Sequence, residues 1–424
     1  MPVTRWVPLA LLMAAGAAYA SEPETPGDWL HLAVERLCTP EALSGIAAEQ
    51  ALPGVWFLGE EERAFGGGIG RITQTFALPG GDELRIIRTQ PGGQLRRFTA
   101  EIHETGGGTK RPLMQAMADG GCTLRSGRRI VREPDGETLL EQLDGDLTTL
   151  RWTETLEAPW PEGSDPGGPR VALVDSGLAY DLPLYRDRLA RGPDGRPLGY
   201  DFWALDPLPY DGDTSRGAFV PVRHGSAVAS VLAREAPDAA LIPFRYPRPD
   251  MNRMTDVVAR AAKAGARILS MPLGSNNPKD WEGFTRGMRA HPELLAIVSA
   301  GNNGRDVDAE PLWPGALRLE NVIVVTSADG FGRLAPGSNW GVESVHIMLP
   351  AENVPVVDFR GASGMASGSS YAVPRLAALA ARLLAANPKM TTAELKAAIF
   401  ARAVPSPYEE NAVAVGWIPD PLRD

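Results

Sequence analysis

Val171-Ala172-Leu173-Val174-Asp175-Ser176-Gly177 is the stretch that decides the fold: four consecutive apolar residues, then a carboxylate, then a turn of small residues. An apolar run this short and this uniform reads as a strand buried on both faces, the habit of parallel sheets. The texture repeats downstream at Ala240–Phe244, Ala266–Ser270, Leu295–Val298 and Val322–Val325. Helical periodicity intervenes at Ser226–Glu235, Thr255–Ala264 and Trp281–Ala290. Strands alternating with helices predict an α/β fold, a doubly wound, mostly parallel sheet whose chemistry gathers at the carboxyl ends of the strands.

Polar residues do stand at those ends. Asp175 follows its strand at once, His224 opens the Ser226–Glu235 helix through Gly225, and Asn302 ends the Leu295–Val298 strand through Ala300-Gly301. Ser370 lies in Gly368-Ser369-Ser370-Tyr371-Ala372-Val373-Pro374, just before the apolar helical run Leu376–Leu384. Each has a plain structural explanation when taken singly: a turn cap, a helix-start histidine, a loop asparagine, an N-cap serine. Together they fill the roles that acyl transfer needs, namely a nucleophile, its base, a carboxylate to orient the base, and a donor for the oxyanion. Placing Asp, His and Asn in strand-end pockets costs desolvation without an obvious gain in packing.

Four blocks, Val-Asp-Ser-Gly (174–177), His-Gly-Ser-Ala-Val-Ala (224–229), Ala-Gly-Asn-Asn-Gly (300–304) and Gly-Ser-Ser-Tyr-Ala-Val-Pro (368–374), resemble the signature blocks of the subtilisin-like serine proteases, in that family's order. The resemblance runs from about residue 169 to about 400. It implies that Ser370 is the nucleophile, His224 the general base and then acid, Asp175 the orienting carboxylate, and Asn302 an oxyanion donor beside the Ser370 N–H. Pro272-Leu273-Gly274 resembles the segment lining the primary specificity pocket, and Tyr246, in Arg245-Tyr246-Pro247, lies near where the family pairs substrate with an edge strand. Ser226 and Ser369 stand where threonine is usual and keep a hydroxyl; Pro272 stands where serine is common and removes a backbone donor. The acidic insert Asp206–Asp213 offers oxygens for a structural calcium, but without regular ligand spacing it reads first as a solvated loop. No other cofactor is implied.

Upstream the pattern differs. Trp29–Cys38 is helical, and Thr39-Pro40-Glu41 opens a second short helix. Ile72–Leu78, Leu84–Thr89 and Leu95–His103, joined by Pro-Gly-rich turns, read as an antiparallel meander. A short helix is expected around Leu113–Met117, then strands at Arg128–Arg132, Thr138–Leu143 and Leu147–Leu156. Residues 21–158 therefore make an N-terminal α+β domain, and the Pro/Gly-rich Pro159–Pro169 a linker to a catalytic domain at 170–424. The family's usual arrangement makes the first domain a removable propeptide; its size and hairpins suit a retained accessory domain equally. Cys38 and Cys122 are the two cysteines, most economically one disulfide closing a long loop worth about 4 kcal/mol, with two buried thiols as the alternative.

Residues 1–20 carry Arg5, an apolar core over Val7–Ala18 and an Ala-Tyr-Ala cleavage site, so export to a periplasm or the medium through a cleavable signal is expected, with no stable membrane anchor. A net charge of −10 argues against nucleic acid as a partner. The reading is an exported, monomeric serine endopeptidase acting on polypeptides. Its rival is a catalytically silent scaffold that binds peptides or a protein partner through the same cleft.

Overall fold

A computed structural model describes residues 23–423 apart from 66–67, 107–108 and 409–411. The expected signal segment lies outside the described residues, and no described helix is long and apolar enough to cross a membrane. The chain divides into two compact units: Met1–Arg129 with Gln142–Trp152, and Ile130–Glu141 with Thr153–Asp424.

The first unit opens with helix α1 (Pro26–Leu37), closed at its N-terminus by a capping box between Thr25 and Asp28. The second helix starts later than Thr39-Pro40-Glu41 suggests, at α2 (Gly45–Ala51), capped by Ser44. The cause is Arg88, buried to 1% exposure, whose guanidinium takes the carbonyls of Leu37, Thr39 and Pro40 at 3.3, 2.6 and 3.2 Å. That anchor holds Leu37–Pro40 in the non-helical course that separates the two helices. Strands β1 (Trp56–Phe65), β2 (Gly68–Ala77), β3 (Glu83–Thr89), β4 (Arg97–Gly106), β5 (Thr109–Asp119), β6 (Leu124–Arg132), β7 (Thr138–Asp144) and β8 (Leu150–Glu157) follow in sheet order as in chain order, with residues 130–141 and 153–157 of the last three counted in the second unit.

Two elements depart from expectation here. Residues 113–117 are strand, not helix: Met114, Ala116 and Ala118 are buried in alternation, and buried Gln115 donates to Glu101 Oε1 at 2.8 Å on the neighbouring strand. Pairing on both sides overrides the helix preference of Leu, Met and Ala. The acidic β1 was not expected at all; it sits at the sheet's edge with Glu60–Arg63 as the charged residues that discourage further pairing. Cys38 and Cys122, both in this unit, form a disulfide with Cα atoms 5.6 Å apart.

The second unit holds β9 (Arg170–Asp175), the one-turn helix α3 (Pro183–Arg186), β10 (Tyr200–Asp201), α4 (Gly225–Glu235), β11 (Ala240–Arg245), α5 (Met254–Lys263), β12 (Ile268–Met271), α6 (Glu282–Ala290), β13 (Leu295–Ser299), β14 (Val322–Ala328), β15 (Ile347–Pro350), the hairpin β16 (Val354–Val357) and β17 (Ser363–Ala366), α7 (Ser369–Ala386), α8 (Thr392–Phe400) and β18 (Gly416–Trp417). Eight of these strands form one parallel sheet in the order β10-β11-β9-β12-β13-β14-β15-β18. The winding reverses between β9 and β12, the switch point at which such sheets open a crevice.

Side chains alternate across this sheet with period two. Val171, Leu173, Leu295 and Ile297 pack with α4 and α7 on one face, while Ala172, Val174, Ala296 and Val298 pack with α5 and α6 on the other. By the same parity Asp175 falls on the face of Val171 and Leu173, where α4 carries His224 and α7 carries Ser370.

The Pro159–Pro169 segment has no regular element, as its composition predicts, but it is held. Tyr180 donates its hydroxyl to Ala158 O at 2.5 Å, Trp160 lies against Tyr180 with ring centroids 4.1 Å apart, and Arg191 Nη2 donates to Pro161 O at 3.0 Å. Residues Ile130, Leu140 and Leu156 gather around Phe219 in a small separate core within the second unit.

Candidate active site

The site is assembled from one strand end and three helix or loop starts. Asp175, buried at the end of β9, accepts two contacts from His224 Nδ1, at 2.8 Å through Oδ1 and 2.9 Å through Oδ2. An Nδ1 atom facing a carboxylate carries the proton, which leaves Nε2 as the basic nitrogen. Gly225 is required beside the pair, because a Cβ there would lie 2.0 Å from Gly177 O and 3.2 Å from Asp175 Cβ. Burial disfavours the imidazolium, but the Asp175 charge and its hydrogen bond, with Asp211 behind them, raise the His224 pKa to about 9.

His224 is also the N-cap residue of α4, and its ring, turned toward Asp175, gives that helix no cap. The first-turn N–H groups are met from outside. Ser176 Oγ accepts from His224 N at 3.1 Å and Gly225 N at 2.8 Å, and Asp211 Oδ2 accepts from Ser226 N at 2.9 Å. Ser176 N donates in turn to Asp175 Oδ1 at 2.7 Å. The preceding residue, Arg223, whose side chain is buried, holds Glu154 Oε1 at 2.9 Å and Thr155 O at 3.1 Å and lies over the Phe359 ring.

Ser370 occupies the first turn of α7. Gly368 precedes the helix at φ 120°, a conformation open to glycine, and a Cβ there would come within 3.1 Å of Asn302 Oδ1. Pro374, inside the helix, has no N–H for the Ser370 carbonyl. Tyr371 sets its ring 6.3 Å from the His224 ring, centroid to centroid. No hydrogen bond joins Ser370 Oγ to the imidazole among the described residues; such contacts often tighten only when substrate is bound.

Asn302 is oriented by the neighbouring serine. Its Oδ1 accepts from Ser369 N and Ser369 Oγ, both at 2.9 Å. A backbone N–H can only donate, so the oxygen faces Ser369 and Nδ2 is left as an outward donor. Because the Ser369 hydroxyl proton goes to Asn302, the 2.7 Å contact with Ser299 Oγ is donated by Ser299, whose oxygen accepts from Gly301 N at 3.0 Å. Both serines that replace the usual threonine thus use their hydroxyls, since Ser226 Oγ accepts from Ala179 N at 2.9 Å.

Fully buried Asn339 fixes the loop behind Asn302: its Nδ2 donates to Ala300 O at 2.8 Å and its Oδ1 accepts from Asn303 N at 2.9 Å. Asn339 escaped the sequence reading, and Asp211 entered it only as part of the acidic insert. The insert is solvated only in part: Pro207 is exposed, while Pro209–Gly212 are buried. Asp211 is fully buried, Asp206 accepts from Leu208 N at 2.8 Å, and Asp213 from Ser215 N and the Tyr246 hydroxyl, both at 2.7 Å. Among the described residues no cluster of acidic, histidine or cysteine side chains is arranged to hold a metal.

The expected substrate-binding residues are spread more widely. Pro272 is buried, Leu273 packs on the α5–α6 core, and Gly274 faces Leu312 and Trp313 O, each 3.1 Å from where its Cβ would be. Tyr246 is buried, and its N–H donates to Asp175 O at 3.0 Å. Arg245 is paired on both sides, with Asp175 and Asp201.

The pattern of the Subtilase family matches residues 167–417. Among curated proteins the chain is similar to the thermophilic serine proteinase of Bacillus sp. (strain AK1), 26% identical over 239 residues that cover 53% of this chain and 54% of that one. It is similar also to the minor extracellular protease Vpr of Bacillus subtilis (strain 168), 32% identical over 158 residues, 34% of this chain and 19% of that one. The chain therefore spans about half the length of the first relative and about a fifth of the second. Among solved structures the A-subunit of the AB5 toxin from E. coli shares the fold, with a TM-score of 0.50 at 21% identity, over 61% of this chain and 92% of that one. A family match over more than half of the sequence, on a parallel sheet with Asp175 at the end of β9 paired to His224, makes this chain a member of the subtilase family of serine peptidases.

Proposed function

We propose that the protein is an exported serine endopeptidase that hydrolyses peptide bonds through an acyl-enzyme on Ser370. The observation that carries this reading is the Asp175–His224 contact, in which one carboxylate fixes the tautomer of an imidazole standing over the first turn of α7. Ser370 Oγ attacks the scissile carbonyl carbon while His224 Nε2 takes the hydroxyl proton. Asp175 stabilises the imidazolium that forms. Negative charge on the carbonyl oxygen meets Asn302 Nδ2 and the Ser370 N–H, one of the first-turn donors that a helix cannot pair internally. His224 then returns the proton to the leaving amine, and water repeats the sequence to release the acid and restore Ser370.

Polypeptides are the substrates under this reading, with Pro272–Gly274 and Tyr246 near the bound chain and the protein acting as a monomer. Export agrees with the N-terminal segment and with the extracellular relative. Residues 21–158 are either a propeptide removed by the enzyme itself or a retained domain, with 170–424 catalytic. Hydrolysis of a denatured protein substrate by the wild type, absent in Ser370→Ala, is the expected result; equal hydrolysis by both would refute the assignment. Intact mass of the two proteins addresses the first domain. Cleavage near 159–169 in the wild type alone marks a propeptide, and an intact chain in both marks a retained domain.

A further inference from the structure

Asp211 is a fully buried carboxylate to which no cation bonds among the described residues. A charge in that position needs a reason, since burial without compensation is expensive. Its compensation comes from the N-terminus of the eleven-residue α4 and from one hydroxyl. Oδ2 accepts from Ser226 N at 2.9 Å, and Oδ1 accepts from Ser176 Oγ at 2.6 Å, with His224 N further off at 3.4 Å.

The Ser176 hydroxyl has one proton and two candidate acceptors. Asp211 Oδ1 stands at 2.6 Å and Asp175 Oδ1 at 3.3 Å, so the proton goes to Asp211. The two lone pairs of Ser176 Oγ then accept from His224 N and Gly225 N, and the hydroxyl is saturated. A neutral residue at 211 would release that proton to Asp175, weakening the carboxylate just where it accepts from the imidazole. It would also remove a negative charge from behind His224.

We propose that Asp211 is a positioning residue of the hydrolytic site: it caps α4 in place of His224, whose ring is turned to Asp175, and it draws the Ser176 proton away from Asp175. The proposal rests on the peptidase reading for its purpose, though not for its test. The charged and polar groups around His224 are Asp175 from β9 and Tyr371 from α7 at the ring and Asp211 from the insert at the backbone N–H, while the Arg223 guanidinium is engaged with Glu154. Of these, Asp211 alone raises the imidazole pKa without touching the ring.

The experiment is an NMR titration of the His224 ring in Ser370→Ala protein, with and without Asp211→Asn. Asparagine keeps an oxygen for Ser226 N and loses the charge. The expected result is a His224 midpoint lower by about half a pH unit or more in the variant, and an equal downward shift of the acid limb of kcat/KM when Ser370 is present, with KM little changed. An unmoved midpoint overturns the proposal and leaves Asp211 a plain helix cap. If Asp211→Asn does not fold, Asp211→Ser, also neutral and also able to accept from Ser226 N, is read in the same way. The titration needs no turnover, so a parent protein that hydrolyses nothing would count against the peptidase reading and not against this result.

Discussion

Glu235 ends α4, where a carboxylate meets the negative end of the helix dipole, and it is almost completely buried. Besides the half-exposed Arg234 of its own helix, at 3.2 Å, what holds it there is α7. Arg375 Nε reaches its two oxygens at 3.0 and 3.2 Å, and Arg382 Nη1 donates to its backbone carbonyl at 2.7 Å. The helix that carries His224 at one end is thus locked at the other to the helix that carries Ser370. With side-chain exposures of 14% for Arg375 and 4% for Glu235, the pair belongs to the buried class. Removing one partner of such a pair costs about 3–5 kcal/mol, because the other charge stays buried without compensation. Glu235→Gln in the Ser370→Ala background, which excludes self-digestion, should therefore lower the melting temperature by about 6–20 °C. Adding Arg375→Met should recover most of the loss, since the uncompensated charge goes with it. Thermal and urea unfolding followed by circular dichroism measure both. A loss below about 1 kcal/mol in the single variant, the behaviour of an exposed pair, would refute the reasoning.

The His224 pKa of about 9 fixes two signs. Under the proposed mechanism His224 must be neutral to take the proton, so kcat/KM should climb about tenfold per pH unit below pH 9 and level off above it, and a limb near pH 6.5 would contradict this. Since the folded pKa lies above the usual histidine value of about 6.5, the contribution of this group to stability is complete below pH 6.5 and is lost as pH rises through 9, which unfolding at pH 6 and pH 10 compares. Gly368→Ala should cut hydrolysis at least about tenfold, because φ 120° is strained for alanine and its Cβ would press on Asn302; wild-type kinetics would count against that role for the glycine. Reducing the Cys38–Cys122 bridge, which spans 84 residues, should weaken the first unit by about 4–5 kcal/mol in urea titrations, and an unchanged midpoint would show that the bridge constrains little.

The α/β unit was legible because its strands are buried on both faces, so their sequences are uniformly apolar and end sharply at Asp175 and Ser299. The helices between them announce themselves by periodicity, and α4 to α6 begin and end within a residue of their expected positions. The four chemical blocks were visible because each is a polar break at one end of an apolar run: Asp175 and Asn302 after strands, His224 and Ser370 before helices. Less was visible where a long-range partner decides the local structure. Arg88 delays α2 by taking carbonyls some fifty residues upstream, and β5 is a strand only because two neighbours pair with it. Asp211 looked like one of several solvated acids, since a sequence does not show that Ser176 and the start of α4 converge on it.

The central claim is that Ser370 is a nucleophile activated by His224, and a fluorophosphonate tests it directly. Reaction of the folded protein followed by peptide mass mapping should give a single phosphonyl adduct on Ser370, lost in His224→Ala and at least about a hundredfold slower in Asp175→Asn. No adduct, or one on the neighbouring Ser369, would contradict the account.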